Sequence, residues 1–303
     1  MSRQAATISA VAVLSAFCVS PADAWGNLGH EVIAAGAWRL MTPKAQAEAT
    51  RLLEQDTDTL TKPDFVSRAT WADAEREAEG GRGRSHLWHF INLPLNLPAD
   101  GGAIHQAIDE MSRYPALDVP AAGPSAPADD NAVDKVRQFE AELVNKNTPT
   151  PERILALKYL IHLVGDLSQP LHTTADAGGN CIPVTVNGRQ ETLHKVWDDE
   201  VVYANTRGHN PIFNGEQIAS EITPAEIKAW SSRDPAEWAV DSYKVAVQVA
   251  YSGRATSLPG CAVRNAAPIM LTPEYQNAAY QAARLQLQKA QVRLAYVLNS
   301  ALG

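Results

Sequence analysis

The sequence predicts a mostly α, single multi-helix domain with one small β-hairpin, and three observations carry that reading. Apolar residues recur at helical spacing through Thr150–His172 and again through Thr272–Leu298. The strongest short hairpin signal is Asn187-Gly188, inside the alternating stretch Val184–Thr192. No internal repeat, heptad array or glycine-rich nucleotide fingerprint points to another class. With 303 residues, 45% of them hydrophobic, the chain has enough apolar material for a sizeable core.

Residues 1–24 stand apart from that domain. Arg3 gives a basic start, Ile8–Val19 is an apolar run, and Ala22-Asp23-Ala24 is a small-x-small cleavage site. This is the pattern of a secretory signal peptide cut between Ala24 and Trp25, which leaves residues 25–303 as the folded domain. The apolar run is too short to span a bilayer, and the SAFC context of Cys18 matches a lipoprotein signal poorly. The expectation is a periplasmic or secreted protein with no membrane association. Cleavage leaves two cysteines, Cys181 and Cys261, which in an oxidising compartment most simply pair as one disulfide.

Trp25–Thr50 reads as two helices, the second opened by Thr42-Pro43 as cap and first residue. Asp64–Glu79 reads as a helix closed by the GGRGRS loop, and His86–Leu93 as a short irregular segment rich in aromatics. A long weakly patterned region follows, and within it residues 115–131, rich in Pro, Ala and acids, read as a surface loop. A helix resumes over Val133–Asn145. The next runs from a Thr150 cap through Pro151 to a stop at Pro170, with Ile154, Leu157, Leu160, Ile161 and Val164 making it largely buried. After the hairpin, His194–Tyr203, 215–222, 224–232 and 236–252 read as helices, and Thr272-Pro273-Glu274 caps the long last one.

The chemistry sits on this frame. His162 and Asp166 share one face of the central helix, and His172 follows just past its end. A buried carboxylate is costly to desolvate, so Asp166 needs a cation or a strong donor beside it. His194 and Asp198 repeat the i, i+4 spacing in HKVWD, and Asp73 and Arg76 lie three apart in TWADAER. Singly, each has a plain structural reading: a core histidine bonded to an aspartate, a solvated helix face, a surface ion pair. Together, two HxxxD pairs, a further histidine and few cysteines favour a multinuclear site of nitrogen and oxygen donors, the kind that leaves positions open for water. A net charge of −8, unchanged by loss of Arg3 and Asp23, argues against broad electrostatic binding of duplex nucleic acid. It leaves phosphate chemistry at bound metal ions open.

The motifs WGNLGH (25–30), TWADAER (70–76), HFIN (89–92), IHLVGDLSQPLH (161–172), AGGN (177–180) and LHKVWD (193–198) occur in this order. With them the chain resembles the zinc-dependent type I nucleases, the nuclease S-one/P-one family, on the phospholipase C/nuclease fold. The resemblance implies three zinc ions per chain. Asp73, His89, His162 and Asp166 would hold one; Trp25, through its α-amino nitrogen and carbonyl oxygen, would hold a second with His30 and Asp166; His172, His194 and Asp198 would hold the third. His89 rather than His86 is then the ligand, and His105 and His209 have no role. The α-amino group can ligate only after cleavage before Trp25. Asp73 would orient or deprotonate the attacking water and Arg76 would bind the phosphate.

The implied activity is endonucleolytic hydrolysis of single-stranded DNA and RNA to 5′-phosphorylated products, with 3′-nucleotidase action on 3′-mononucleotides, by a monomer. Bases would stack on Phe90, with Asn92 and Asn180 as further contacts. Asn92 departs from the aspartate of fungal members, which bears on base preference alone. A phospholipase C on the same fold is the nearest rival; its first tryptophan and histidine lie further apart and its last ligand is a glutamate, unlike Trp25, His30 and Asp198. A non-catalytic zinc-binding protein would have no use for Arg76.

Overall fold

The central helix of the sequence is also the central helix of the fold. The computed structural model describes residues 25–81, 85–98, 100–112, 131–232, 234–252 and 267–303. Residues 1–24, Cys261 and most of the 115–131 stretch lie outside them, so the signal-peptide and Cys181–Cys261 expectations fall outside the described residues. In chain order the helices are α1 (Gly26–Leu40), α2 (Pro43–Leu53), α3 (Trp71–Ala78), α4 (Gly101–Met111), α5 (Ala132–Val144), α6 (Thr150–Asp166) and α7 (Leu193–Lys195). They continue with α8 (Val201–Ala204), α9 (Pro211–Ser220), α10 (Pro224–Trp230), α11 (Pro235–Val245) and α12 (Pro273–Leu302).

From Ile154 to Asp166 only Leu155 of α6 reaches solvent. A helix apolar nearly all round must be wrapped by others, and α5, α1, α2, α3 and α12 surround it. Proline and cap chemistry set most of the boundaries. Thr42 accepts from Ala45 N, Thr272 from Tyr275 N, and Thr223 with Glu226 forms a capping box on α10. The expected Thr150 cap is not one. Pro149 holds that position and Thr150 is already helical, without a side-chain cap bond. Pro170 likewise lies beyond the break, in a 3₁₀ turn over Pro170–Thr173, because α6 ends at Asp166.

Strands β1 (Pro183–Val186) and β2 (Arg189–Thr192) form the expected hairpin, Val184 opposite Glu191. Asn187 and Gly188 turn it at φ of 50° and 77°, the left-handed pair that matches strand twist. A two-residue strand, β3 (Ile269–Met270), adds parallel to β1, which the sequence did not reveal. Helix α4 and the break inside His194–Tyr203 were also unforeseen; there α7 runs into a π-helical turn over Val196–Glu200 before α8. Expected helix 64–79 opens with a 3₁₀ turn at Ser67–Thr70. Among the described residues no helix is long and apolar enough to cross a membrane.

Candidate metal centre

Five other segments converge on one face of α6. His30 comes from α1, Asp73 and Arg76 from α3, His89 from a 3₁₀ turn over His86–His89, and His162 and Asp166 from α6. His172 follows in the next turn, and His194 and Asp198 lie on α7 and the π-turn. All of these side chains are buried. Backbone pairing fixes the segments to one another: Ile91 N donates to His172 O (2.9 Å), and Leu93 bridges to Thr174.

Donor atoms gather into three groups whose members lie within 4.8 Å of one another: His30, His162 and Asp166; Asp73, His89 and His162; and His172, His194 and Asp198. The two oxygens of Asp166 face different neighbours. Oδ2 is 2.9 Å from His89 Nδ1 and 3.2 Å from His162 Nε2, whereas Oδ1 is 3.5 Å from His30 Nε2. In the third group His194 Nε2 is 3.3 Å from Asp198 Oδ2. Arg76 reaches Asp73 Oδ1 at 3.0 Å.

Second partners orient three of the imidazoles. His162 Nδ1 bonds Ala69 O (2.7 Å), His172 Nδ1 bonds His89 O (2.8 Å), and His194 Nδ1 bonds Gly178 O (2.6 Å). A carbonyl accepts, so each Nδ1 carries the proton and each Nε2 offers a lone pair, the arrangement typical of metal-bound histidine. The AGGN turn serves this: Ala177, Gly178 and Gly179 all have positive φ, and a Cβ on Gly178 would lie 2.8 Å from His194 Nδ1.

Electrostatics point the same way. Burial pulls His162 down, but the Asp166 and Asp73 carboxylates outweigh it and push the ring up to about 9. Burial raises Asp166, yet His162 and His89 hold it well below the usual carboxylate range. Burial, then neighbouring His162 and His172 respectively, drive His30 and His194 down to about 3. The pocket thus favours ionised carboxylates, keeps His30 and His194 neutral, and draws positive charge to His162 beside Asp166 and Asp73. Buried His30 Nδ1 and Nε2, His194 Nε2 and Asp166 Oδ1 have no hydrogen-bond partner among the described residues. Buried polar atoms of this kind need one, and nitrogen and carboxylate donors without thiolate fit zinc.

The other expected site residues are placed as follows. Trp25 is fully buried beside the site; its indole donates to Gly165 O (3.0 Å), and its carbonyl accepts from Gly29 N (3.1 Å). Phe90 is partly exposed with His86 edge-on to it (5.4 Å), and Asn92 is exposed. Asn180 is half-buried, its amide on Ala177 O. His86 belongs to none of the three donor groups. Gln169, which the sequence reading passed over, donates to Asp198 Oδ1 at 2.7 Å. Its signal was its place in the LSQPLH run between Asp166 and His172.

The chain is similar in sequence to known nucleases. The chain is 31% identical to nuclease S1 of Aspergillus oryzae over 175 residues, 57% of this chain and 53% of that protein. It is 27% identical to nuclease PA3 of a Penicillium species over 296 residues, 92% and 98% of the two chains. It is 31% identical to nuclease P1 of Penicillium citrinum over 186 residues, 61% of each. The matched stretch therefore spans about half the length of the first and nearly all of the second. The S1/P1 nuclease family model covers residues 25–303, from the buried Trp25 beside the metal centre to the end of α12, and the chain belongs to that family.

Proposed function

We propose that the chain is a zinc-dependent endonuclease that hydrolyses single-stranded DNA and RNA to 5′-phosphorylated products and removes the phosphate of 3′-mononucleotides. The observation that carries this is the set of three adjoining buried His/Asp groups, with Arg76 at their edge. Three zinc ions per chain are assigned to Asp73, His89, His162 and Asp166; to Trp25, His30 and Asp166; and to His172, His194 and Asp198. Trp25 O, although it accepts from Gly29 N, retains a second lone pair. Export, with residues 1–24 removed as a signal peptide, supplies the free α-amino group that this assignment needs, and the protein acts as a monomer in the periplasm or outside the cell.

Bound zinc would lower the pKa of coordinated water and offset charge on the phosphate. The chain's own residues do the rest. Arg76, braced against Asp73 Oδ1, offers its guanidinium to phosphate oxygens, where charge-assisted bonds strengthen as charge develops. Asp73 accepts a hydrogen from the attacking water and aims it. The backbone at Phe90 is extended (φ −150°), and partly exposed Phe90 and exposed Asn92 flank buried Ile91. A base on Phe90 would find Asn92 beside it, and duplex bases are not free to stack this way.

The test uses protein beginning at Trp25, loaded with zinc and assayed on denatured DNA, duplex DNA, RNA, a 3′-mononucleotide and phosphatidylcholine. Faster cleavage of denatured than duplex DNA, with three ions by mass spectrometry, is expected. Hydrolysis of phosphatidylcholine alone would replace this reading with a phospholipase C. Ion binding without turnover of any substrate would replace it with a zinc-binding protein.

A further inference from the structure

We infer that Gln169 is a positioning residue that holds Asp198 for the metal ion assigned to His172, His194 and Asp198. The inference rests on the metal reading above. Gln169 is fully buried in the turn between α6 and the Pro170–Thr173 turn, and both ends of its amide are used. Nε2 donates to Asp198 Oδ1 (2.7 Å) and Oε1 accepts from Leu171 N (2.5 Å). Its partners settle the orientation, since a carboxylate only accepts and a backbone N–H only donates.

The backbone of the same residue ties the other centre in. Gln169 N donates to Asp166 O (3.0 Å), and Gln169 O accepts from His172 N (3.1 Å). One residue is therefore bonded to three of the assigned ligand residues, across both halves of the site. With Oδ1 of Asp198 engaged by the amide, Oδ2 is the oxygen that faces His194 Nε2 at 3.3 Å. The side chain thus selects which oxygen a metal meets, as the carbonyls of His89 and Gly178 select the nitrogens of His172 and His194. The turn is itself anchored from behind. Ser242 Oγ donates to Leu167 O (2.6 Å), and Gln286 Nε2 donates to Ser168 O (2.9 Å).

The test follows release of zinc from the mature holoenzyme into a chromogenic chelator, with His172→Ala identifying the phase that belongs to the third ion. Gln169→Met keeps the bulk and loses both bonds. It is expected to release that ion about 10–100-fold faster while leaving the other two phases unchanged. Gln286→Leu removes a buried amide from the same turn without touching Asp198; it should lower Tm yet retain the third ion. If Gln169→Met does not fold, Gln169→Asn, whose amide falls one methylene short of Asp198, is read in its place. Wild-type release from the Gln169 variant, or equal acceleration by Gln286→Leu, overturns the assignment. A wild-type protein that holds no third ion instead removes the metal reading beneath it.

Discussion

Gly165 lies on α6 one turn after His162, and its α-carbon faces the His30 ring. Replacing it with alanine sets two effects against each other. In a helix interior alanine is favoured over glycine by about 1 kcal/mol, an upper bound for Gly165, the next-to-last residue of α6. The added Cβ, however, would sit 2.8 Å from His30 Nδ1 and 3.1 Å from its Cε1, where ordinary contact begins at 3.4 Å. The ring must therefore move by about 0.6 Å, several times the roughly 0.2 Å tolerance of a metal–ligand distance. It cannot do so without disturbing its stack on His162 (3.9 Å) or its approach to Asp166 (3.5 Å). Overpacking of this kind costs about 1–3 kcal/mol, so the helical gain offsets much of it and the protein should fold. Gly165→Ala is thus expected to shift Tm by only a few degrees while zinc content falls and hydrolysis of denatured DNA drops at least about tenfold. Circular dichroism, mass spectrometry of metal content and a nuclease assay on one preparation decide it. Wild-type metal content and rate would show that His30 does not need its present position, and the argument from the Gly165 contact would fail.

Asp166→Asn keeps the shape but removes the charge that two ions would share on the proposed assignment; metal content and cleavage of denatured DNA should fall together with helicity retained, and three ions with a wild-type rate would exclude the bridge. Protein retaining residues 1–24, verified by intact mass, should be nearly inactive, because the Trp25 nitrogen is then an amide; full activity would remove Trp25 from the ligand set. Metal-free protein should lose stability as pH falls below about 6.5. His30 and His194 are depressed to about 3, so their contribution is present above the unfolded value and lost on acidification, whereas raised His162 contributes no slope below 6.5. Urea melts at pH 7 and pH 5 that coincide would contradict this. Cys181–Cys261, which closes about 80 residues, should add on the order of 4 kcal/mol in the chain-entropy model without altering turnover; peptide mapping that finds both thiols free would refute it.

What could be read from the sequence was local. His162/Asp166 and His194/Asp198 are spaced one helical turn apart, so composition and position together mark them, and Thr42 and Thr272 announce their helices by caps. The rest depends on partners distant in the chain. Strand β3 is two residues long and pairs Ile269 with Val184, a contact that leaves no periodic trace. Helix α4 buries only Ile104 and Ile108, too little for a pattern, although Asp100 caps it. The π-turn at Val196–Glu200 changes the register within what reads as one helix. Gln169 escaped notice because an amide has no charge to mark it, and its importance lies in the two bonds it makes.

Helix α12 packs on α1, with Gln291 Nε2 on Val32 O (3.2 Å) and Thr42 N on Asn299 Oδ1 (2.7 Å) joining segments more than 250 residues apart. Gln291 fills the space that a side chain on Gly36 would need, so the two helices meet almost backbone to side chain. The helix that carries His30 therefore has no complete seat until nearly the last residue has been made. If the chain is exported unfolded, as the proposed signal peptide implies, its ligands stay apart for the whole of its passage. On that proposal the centre would assemble only on the far side, where its zinc would have to be found.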